Sequence, residues 1–133
     1  MQRRPRTIAS SLAVMLVATA VTACGGSDAD PATTAVSQIT AADLHARMAS
    51  KDFVLVNVHT PWNGDIPETD LRIPFDEIEA RVAELPSAKD TAIVLYCRSG
   101  HMSAQAARTL VSLGFTDVYD LTGGQQAWAA AGY

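Results

Sequence analysis

Cys97 stands where an apolar run meets a glycine-containing loop, a setting that can make a thiol reactive. Residues 91–96 are typical of a buried parallel strand, and a helical pattern begins near Ser103. Backbone N–H groups in such a loop can converge on an anion at a helix N-terminus. Together with the charge of Arg98, they are expected to lower the pKa of the thiol and favour the thiolate, the form that attacks sulfur. The alternative is a structural cysteine that fills space at a strand end.

The elements that would position this loop alternate between strand-like and helix-like patterns. Three apolar runs predict strands, at residues 53–58, 91–96 and 118–121. Four segments with helical spacing predict helices, at residues 41–49, 75–85, 103–113 and 123–131. Thr40 is expected to cap the first helix, Pro86 to end the second and Gly114 to end the third. This alternation predicts a parallel sheet with helices on its faces, and ligands bind such sheets beyond the carboxyl ends of the strands.

The N-terminal segment has the arrangement of an export signal. Three arginines and no acid occur in the first seven residues, and residues 8–21 are almost wholly apolar. That apolar run is too short to cross a hydrocarbon core of ~30 Å comfortably as a helix. The junction Val21-Thr22-Ala23-Cys24 resembles the lipobox of bacterial lipoproteins, in which the cysteine is acylated and becomes the first mature residue. The alternative is an ordinary signal peptide or anchor with an incidental cysteine. The Arg3-Arg4 pair lacks the rest of a twin-arginine motif.

Three parts are therefore expected along the chain. Residues 1–23 form a lipoprotein signal peptide, residues 24–35 the lipidated cysteine and a flexible tether, and residues 36–133 one domain. Loss of three of the ten basic residues would leave seven against fourteen acidic ones, a formal charge of −7. Such a charge argues against nucleic acid as a partner and leaves the acyl chains as the membrane link. The predicted location is extracytoplasmic, anchored by lipid to the cell membrane, with Cys97 as the one unmodified thiol in the mature sequence.

Four segments resemble the single-domain rhodanese family. The loop Cys-Arg-Ser-Gly-His-Met-Ser at residues 97–103 is similar to the family's active-site loop. The other three similar segments are residues 55–59 (Leu-Val-Asn-Val-His), residues 64–67 with Ile73-Pro74, and residues 121–124 with Trp128 and residues 131–133. All four occur in the family's order and together extend over nearly all of residues 36–133.

The resemblance implies both a fold and an activity. The fold would be a three-layer α/β sandwich with a five-stranded parallel sheet and helices on both faces. Cys97 would take up a sulfane sulfur as a persulfide and pass it to a thiol or cyanide acceptor, with no cofactor and as a monomer. The residues implied to hold the persulfide and its anionic donor are Arg98, Ser99, Gly100, His101, Met102 and Ser103.

The chain departs from the family pattern at four positions. Met102 stands where an arginine is common, so one donor for a sulfonate-like oxyanion is missing and thiosulfate is expected to be a poorer donor than a persulfide. Asn57 and His59 replace the usual acid and base, and Asp65 replaces a histidine. These departures indicate either a specialised donor or a catalytically silent member used for binding. The intact Cys97 favours activity.

Other residues have a functional and a plain interpretation. His59 and His101 could supply the positive charge that Met102 lacks, although two solvent-facing histidines are the simpler expectation. Their spacing with Cys97 is not that of a compact metal site, and no metal is predicted. A Cys-dependent phosphatase or arsenate reductase would use the same strand, loop and helix, but needs an arginine that closes on the oxyanion. Trp62 and Trp128 are predicted to be packing residues, with Trp62 alternatively walling the pocket.

Overall fold

The structure, a computed structural model, describes residues 35–133. The strands are β1 (Ser37–Ile39), β2 (Val54–Asn57), β3 (Leu71–Arg72), β4 (Ile93–Tyr96) and β5 (Val118–Leu121). The α-helices are α1 (Ala41–Met48), α2 (His101–Ser112) and α3 (Gly124–Ala130). All strand pairs are parallel, in the order β1-β5-β4-β2-β3. The predicted signal peptide, Cys24 and nearly all of the predicted tether lie outside the described residues.

Helices cover both faces of the sheet, which confirms the three-layer α/β sandwich. On one face, Ala106 and Leu110 of α2 pack with Leu95 and Val118. On the other face, residues of α1 and α3 pack with the alternate strand residues, a cluster that includes Leu44, Leu55, Val94, Leu121 and Trp128. Within the described part of the chain, no helix is long and apolar enough to cross a membrane.

Strand β4 lies at the centre of the sheet and positions the candidate nucleophile. It pairs with β2 on one side and with β5 on the other, and all four of its residues are buried. A strand covered on both faces is apolar at every position, since neither set of alternating side chains meets water. The chain therefore leaves β4 at Cys97, at the carboxyl edge of the sheet, where parallel sheets place their ligand sites.

The ends of most predicted helices and strands lie within two residues of the observed ends. Thr40 caps α1 as predicted, because its hydroxyl accepts a hydrogen bond from the backbone N–H of Asp43 at 3.1 Å. Gly114 follows α2, with a positive φ of 91° that suits the end of a helix. Strands β1 and β3 were implied by the family resemblance alone, since edge strands of three and two residues have too little sequence for a pattern.

The helix predicted at residues 75–85 is wrong. This segment consists of turns and one 3₁₀ helix, Val82–Glu84. Ile78 and Leu85 are buried, and Phe75 and Val82 pack against the same cluster, so the apolar positions were identified correctly. Spacings of three residues between most of these positions also suit i→i+3 turns, which bury the same side chains without an α-helix. The acidic residues of this segment are exposed, three on turns and Glu84 at the end of the 3₁₀ helix.

Candidate active site

The Cys97 sulfur lies beneath a tight backbone loop. Its Sγ accepts a hydrogen bond from the backbone N–H of Gly100 at 3.0 Å, and the side chain is 1% exposed. Gly100 has a φ of 106°, which a residue with a Cβ rarely adopts. This backbone conformation turns the chain directly into α2, so that an N–H group points back at the sulfur. The loop is thus built to stabilise negative charge on Cys97, as its sequence predicted.

Ser103, in the first turn of α2, contributes a hydroxyl to the same site. The residue is fully buried, and its Oγ lies 3.6 Å from Cys97 Sγ. The hydroxyl is also within hydrogen-bond distance of the Gly100 carbonyl oxygen, at 3.2 Å. Ser103 therefore touches both the nucleophile and the loop that encloses it.

These contacts determine the pKa of Cys97. Burial raises the pKa, because it disfavours the charged thiolate, but hydrogen bonds from Ser103, Gly100 and Ser99 lower it further than burial raises it. The net result is a thiol whose pKa lies below its ordinary value of 9.0. Arg98, expected from the sequence to assist, is exposed and is not among the groups that lower this pKa.

Helix α3 holds the loop from the other side. The backbone N–H of Gln125 donates to the Cys97 carbonyl oxygen at 2.9 Å, and that of Gln126 donates to the Arg98 carbonyl oxygen at 3.0 Å. Gly124 makes this close approach possible, because a Cβ there would lie 2.8 Å from the Arg98 carbonyl carbon and overlap the Cys97 carbonyl oxygen. The sequence Gly123-Gly124 therefore packs the start of α3 directly against the nucleophile's backbone.

A second loop, after β2, is fastened to the same edge of the sheet. The buried Asn57 donates through Nδ2 to Gly64 O and Asp65 Oδ1, both at 2.9 Å, and accepts from the N–H of His59 at 2.9 Å. The side chain of Gln125 also donates to Gly64 O, at 2.7 Å. Asn57 is thus a structural anchor that fixes the turn after β2, and Gln125 joins this turn to the Cys97 loop.

The comparisons with known proteins agree with this geometry. The family model for the rhodanese-like domain matches residues 40–131, well over half of the chain. The chain belongs to the rhodanese-like family. It is 40% identical over 101 residues to a sulfurtransferase of Allochromatium vinosum, an alignment that covers 73% of this chain and 92% of that protein. The family and this relative support activity of the sulfurtransferase type.

Solved structures share the rhodanese-like fold. A rhodanese-related protein from Thermoplasma volcanium is 31% identical with a TM-score of 0.63, covering 73% of this chain and 94% of that one. A protein from Rhodopseudomonas palustris, described as a possible tyrosine phosphatase, is 31% identical with a TM-score of 0.64, covering 77% of this chain and 86% of that one. The five-stranded parallel sheet of this rhodanese-like domain is therefore the family's own architecture.

The remaining predicted site residues of the rhodanese-like domain lie in different surroundings. Ser99 and His101 are exposed, and the His101 ring pairs with Gln105 at 3.2 Å. Met102 is half-buried and packs against the core cluster on the α2 face. His59 is half-buried, and its Nδ1 has no hydrogen-bond partner within residues 35–133. The structure does not gather His59, His101 and Cys97 into a set of metal ligands in this range.

The packing role predicted for Trp62 is wrong, whereas that for Trp128 is confirmed. Trp62 is 59% exposed and Trp128 5% exposed. The Arg72 guanidinium lies 4.9 Å from the centroid of the Trp62 ring, and the indole N–H donates to Asp65 Oδ1 at 3.2 Å. Asp65 also binds Arg72, and this ion pair lowers the pKa of the carboxyl. Trp62 is thus held on the surface of the second loop by a cation–π contact and a hydrogen bond, outside the core.

Proposed function

We propose that this rhodanese-like domain transfers sulfane sulfur through a persulfide on Cys97. The thiolate attacks the outer sulfur of a donor R–S–SH, forms a Cys97 S–S bond and releases the donor as a thiol. An acceptor thiolate or cyanide then attacks the outer sulfur of the Cys97 persulfide and regenerates the Cys97 thiolate. The small-molecule donor and acceptor are the only partners that this cycle requires.

The observation that supports this proposal best is the 3.0 Å hydrogen bond from Gly100 N–H to Cys97 Sγ. A thiolate needs such a donor where its charge is otherwise buried, and the cost of burying it unpaired would be high. The test is steady-state sulfur transfer to cyanide, measured as thiocyanate, by the wild type and by Cys97→Ser. Transfer that does not depend on Cys97 would refute the proposal.

We further propose that the donor is a persulfide or polysulfide rather than thiosulfate. Arg98 is exposed and is not among the groups that lower the pKa of Cys97. Met102 packs against the core and has no guanidinium. Neither residue therefore offers Cys97 Sγ a charged donor in the described structure. A charge-assisted hydrogen bond contributes roughly 1.5–3 kcal/mol, which corresponds to about tenfold to a hundredfold in the handling of a dianion. A persulfide has less charge than thiosulfate, so the missing hydrogen bond should lower its kcat/KM less.

Met102→Arg is therefore expected to raise kcat/KM for thiosulfate about tenfold or more, while the value for a persulfide stays within a few-fold. Met102→Leu is the matched control, because it keeps an apolar side chain against the core and adds no donor. Efficient thiosulfate turnover by the wild type at pH 8, unimproved by Met102→Arg, would contradict the proposed donor.

A catalytically silent binding module is the second candidate, and alkylation of Cys97 separates it from the enzyme. Since its pKa lies below 9.0, Cys97 in the folded domain should reach half its maximal rate with iodoacetamide at a lower pH than in the unfolded chain. The guanidinium-unfolded protein is the control, because it has the same thiol without the loop. A folded-state midpoint at or above the unfolded one would favour the silent module. The phosphatase alternative lacks support from the loop, where no arginine side chain is placed beside the sulfur.

We propose that the domain works outside the cytoplasm, anchored by lipid at Cys24. The proposal depends on the Val21-Thr22-Ala23-Cys24 junction at the end of an apolar run. Protein from its native host is expected to begin at Cys24 and to have acyl chains, and Cys24→Ser should remain unprocessed. Intact-mass measurement distinguishes the outcomes, and an unmodified mature chain or a different first residue would refute the anchor.

A further inference from the structure

An open pocket lies on the face of the sheet that α1 and α3 cover, away from Cys97. Its volume is about 400 Å³, within the range of sites that bind small molecules. Helix α3 begins against the Cys97 loop and runs away from it, and the pocket lies beside the end of this helix. The sulfur chemistry proposed above uses none of the residues that line the pocket, among them His45, Met48, Pro67, Glu68, Trp128 and Tyr133.

Three rings line this pocket, and two of them meet at an angle. The rings of Trp128 and Tyr133 have centroids 5.1 Å apart and planes 56° apart, so they form a corner. The His45 ring stacks on Tyr133 at 3.9 Å, with the two planes 1° apart. This stacking orients Tyr133 beside the pocket, although Tyr133 is 44% exposed. The faces of aromatic rings have partial negative charge and attract cations.

Glu68 adds a carboxylate to the same pocket. This carboxylate makes no ion pair within residues 35–133. Lys51 Nζ lies 2.7 Å from the Glu68 carbonyl oxygen, but it also lies 2.7 Å from Asp70 Oδ2, which balances its charge. The charge of Glu68 is therefore left over at the pocket, and it favours a cationic ligand.

The backbone of Glu68 is in the left-handed region, with a φ of 62°. Glu68 is the one residue other than glycine with a positive φ within residues 35–133. Such a conformation persists where the surroundings hold it, and it is common at ligand sites. Here the hydrogen bond from Lys51 to the Glu68 carbonyl oxygen holds the turn. A glycine would fit this backbone with less strain, so the presence of a glutamate indicates a role for its side chain.

We propose that this pocket binds a small organic cation whose charged end is a quaternary ammonium group. Such a group has no N–H to donate, so it is bound by aromatic faces and by a nearby carboxylate rather than by hydrogen-bond acceptors. Met48 and Pro67 give the body of the ligand an apolar wall. An anion would be repelled by Glu68, and a neutral apolar molecule would gain nothing from its charge.

The test is a calorimetric titration of the full-length protein with choline. The control ligand is the neutral carbon analogue of choline, in which a tert-butyl group replaces the trimethylammonium group and keeps its shape. We expect choline to bind at least about tenfold more tightly than this analogue. Equal affinities, or no saturable binding of choline, would overturn the proposal. No sulfur donor is present, so the outcome does not depend on the proposed sulfur transfer.

Two substitutions assign the binding to the pocket. Glu68→Gln keeps the shape of the side chain and should weaken choline binding about threefold or more, with little effect on the neutral analogue. Tyr133→Leu removes a ring from a half-exposed position and should weaken choline binding by a similar factor. Glu79→Gln is the matched control, because Glu79 is exposed beside Ile78, which packs on the α2 face. Wild-type affinity for choline in Glu68→Gln would overturn the proposal.

Quaternary ammonium groups occur both in free solutes and in lipid headgroups, and competition distinguishes these two sources. Vesicles of phosphatidylcholine displace choline only if the headgroup enters the pocket. Vesicles of phosphatidylglycerol, which has no ammonium group, are the control. Displacement by phosphatidylcholine alone would support a lipid headgroup as the bound cation, and no displacement by either would support a free solute. Equal displacement by both kinds of vesicle would overturn recognition of the ammonium group.

Discussion

Replacement of Cys97 by serine is expected to abolish sulfur transfer, with kcat/KM lowered at least about 10³-fold. A serine hydroxyl stays protonated at neutral pH and cannot hold a transferable sulfur through an S–S bond. The change is nearly isosteric at a site that is 1% exposed, and the Gly100 N–H can still donate to the new oxygen. Sulfur transfer from a persulfide to cyanide measures the effect.

The control for this prediction is the stability of the folded domain. The free energy of unfolding of Cys97→Ser should lie within about 1 kcal/mol of the wild-type value, since the cavity that it creates is no larger than the difference between sulfur and oxygen. Loss of activity together with a collapse of stability would assign Cys97 a structural role. Activity that survives the substitution would remove Cys97 from the mechanism.

Gly124→Ala is expected to have the second-largest effect, because it damages both stability and activity. An alanine Cβ at this position overlaps the Cys97 carbonyl oxygen and the Arg98 carbonyl carbon, and the φ of 57° already disfavours a side chain. Left-handed backbone costs about 1–2 kcal/mol and overpacking about 1–3 kcal/mol, so the free energy of unfolding should fall by about 2–5 kcal/mol. The start of α3 must move away from the loop, which displaces the Cys97 backbone and should lower kcat/KM about tenfold or more.

Gly114→Ala is the matched control for Gly124→Ala. Its φ is 91°, but a Cβ there has nothing within 4 Å, and the residue lies at the far end of α2 from the site. It should lose stability through backbone strain alone and keep the wild-type kcat/KM. Denaturant unfolding and sulfur transfer, measured on both variants, separate strain from displacement of the loop. Equal activity losses in the two variants would contradict the role given to Gly124.

Much of the fold could be predicted because its signals are local. Cys97 directly follows the continuous apolar run of β4, and the helical pattern of α2 begins a few residues later. Both elements are observed. Gly123-Gly124 was recognised through the family resemblance, and its physical reason is the close approach of α3 to the loop. The structure therefore has Cys97 between a buried strand and a helix, as the sequence predicted, and its role as the nucleophile stays a prediction.

The rest depended on tertiary contacts that sequence patterns do not contain. Residues 75–85 have apolar spacings that suit both an α-helix and a series of turns, and the structure has turns and a 3₁₀ helix that pack the same apolar side chains against the core. Gln125 lies close to the Cys97 loop and also donates to the carbonyl oxygen of Gly64, which is far from it in the sequence. No short motif of polar residues predicts this contact, which depends on how α3 packs against the sheet edge.

The most direct test of the central claim is mass spectrometry of the domain after incubation with a persulfide donor. Trapping with iodoacetamide and peptide mapping would then locate the added sulfur. We predict one added sulfur atom, about 32 Da, on the peptide that contains Cys97, and its disappearance when a thiol acceptor is supplied. Sulfur found on another residue, or turnover without any sulfur on Cys97, would contradict the account.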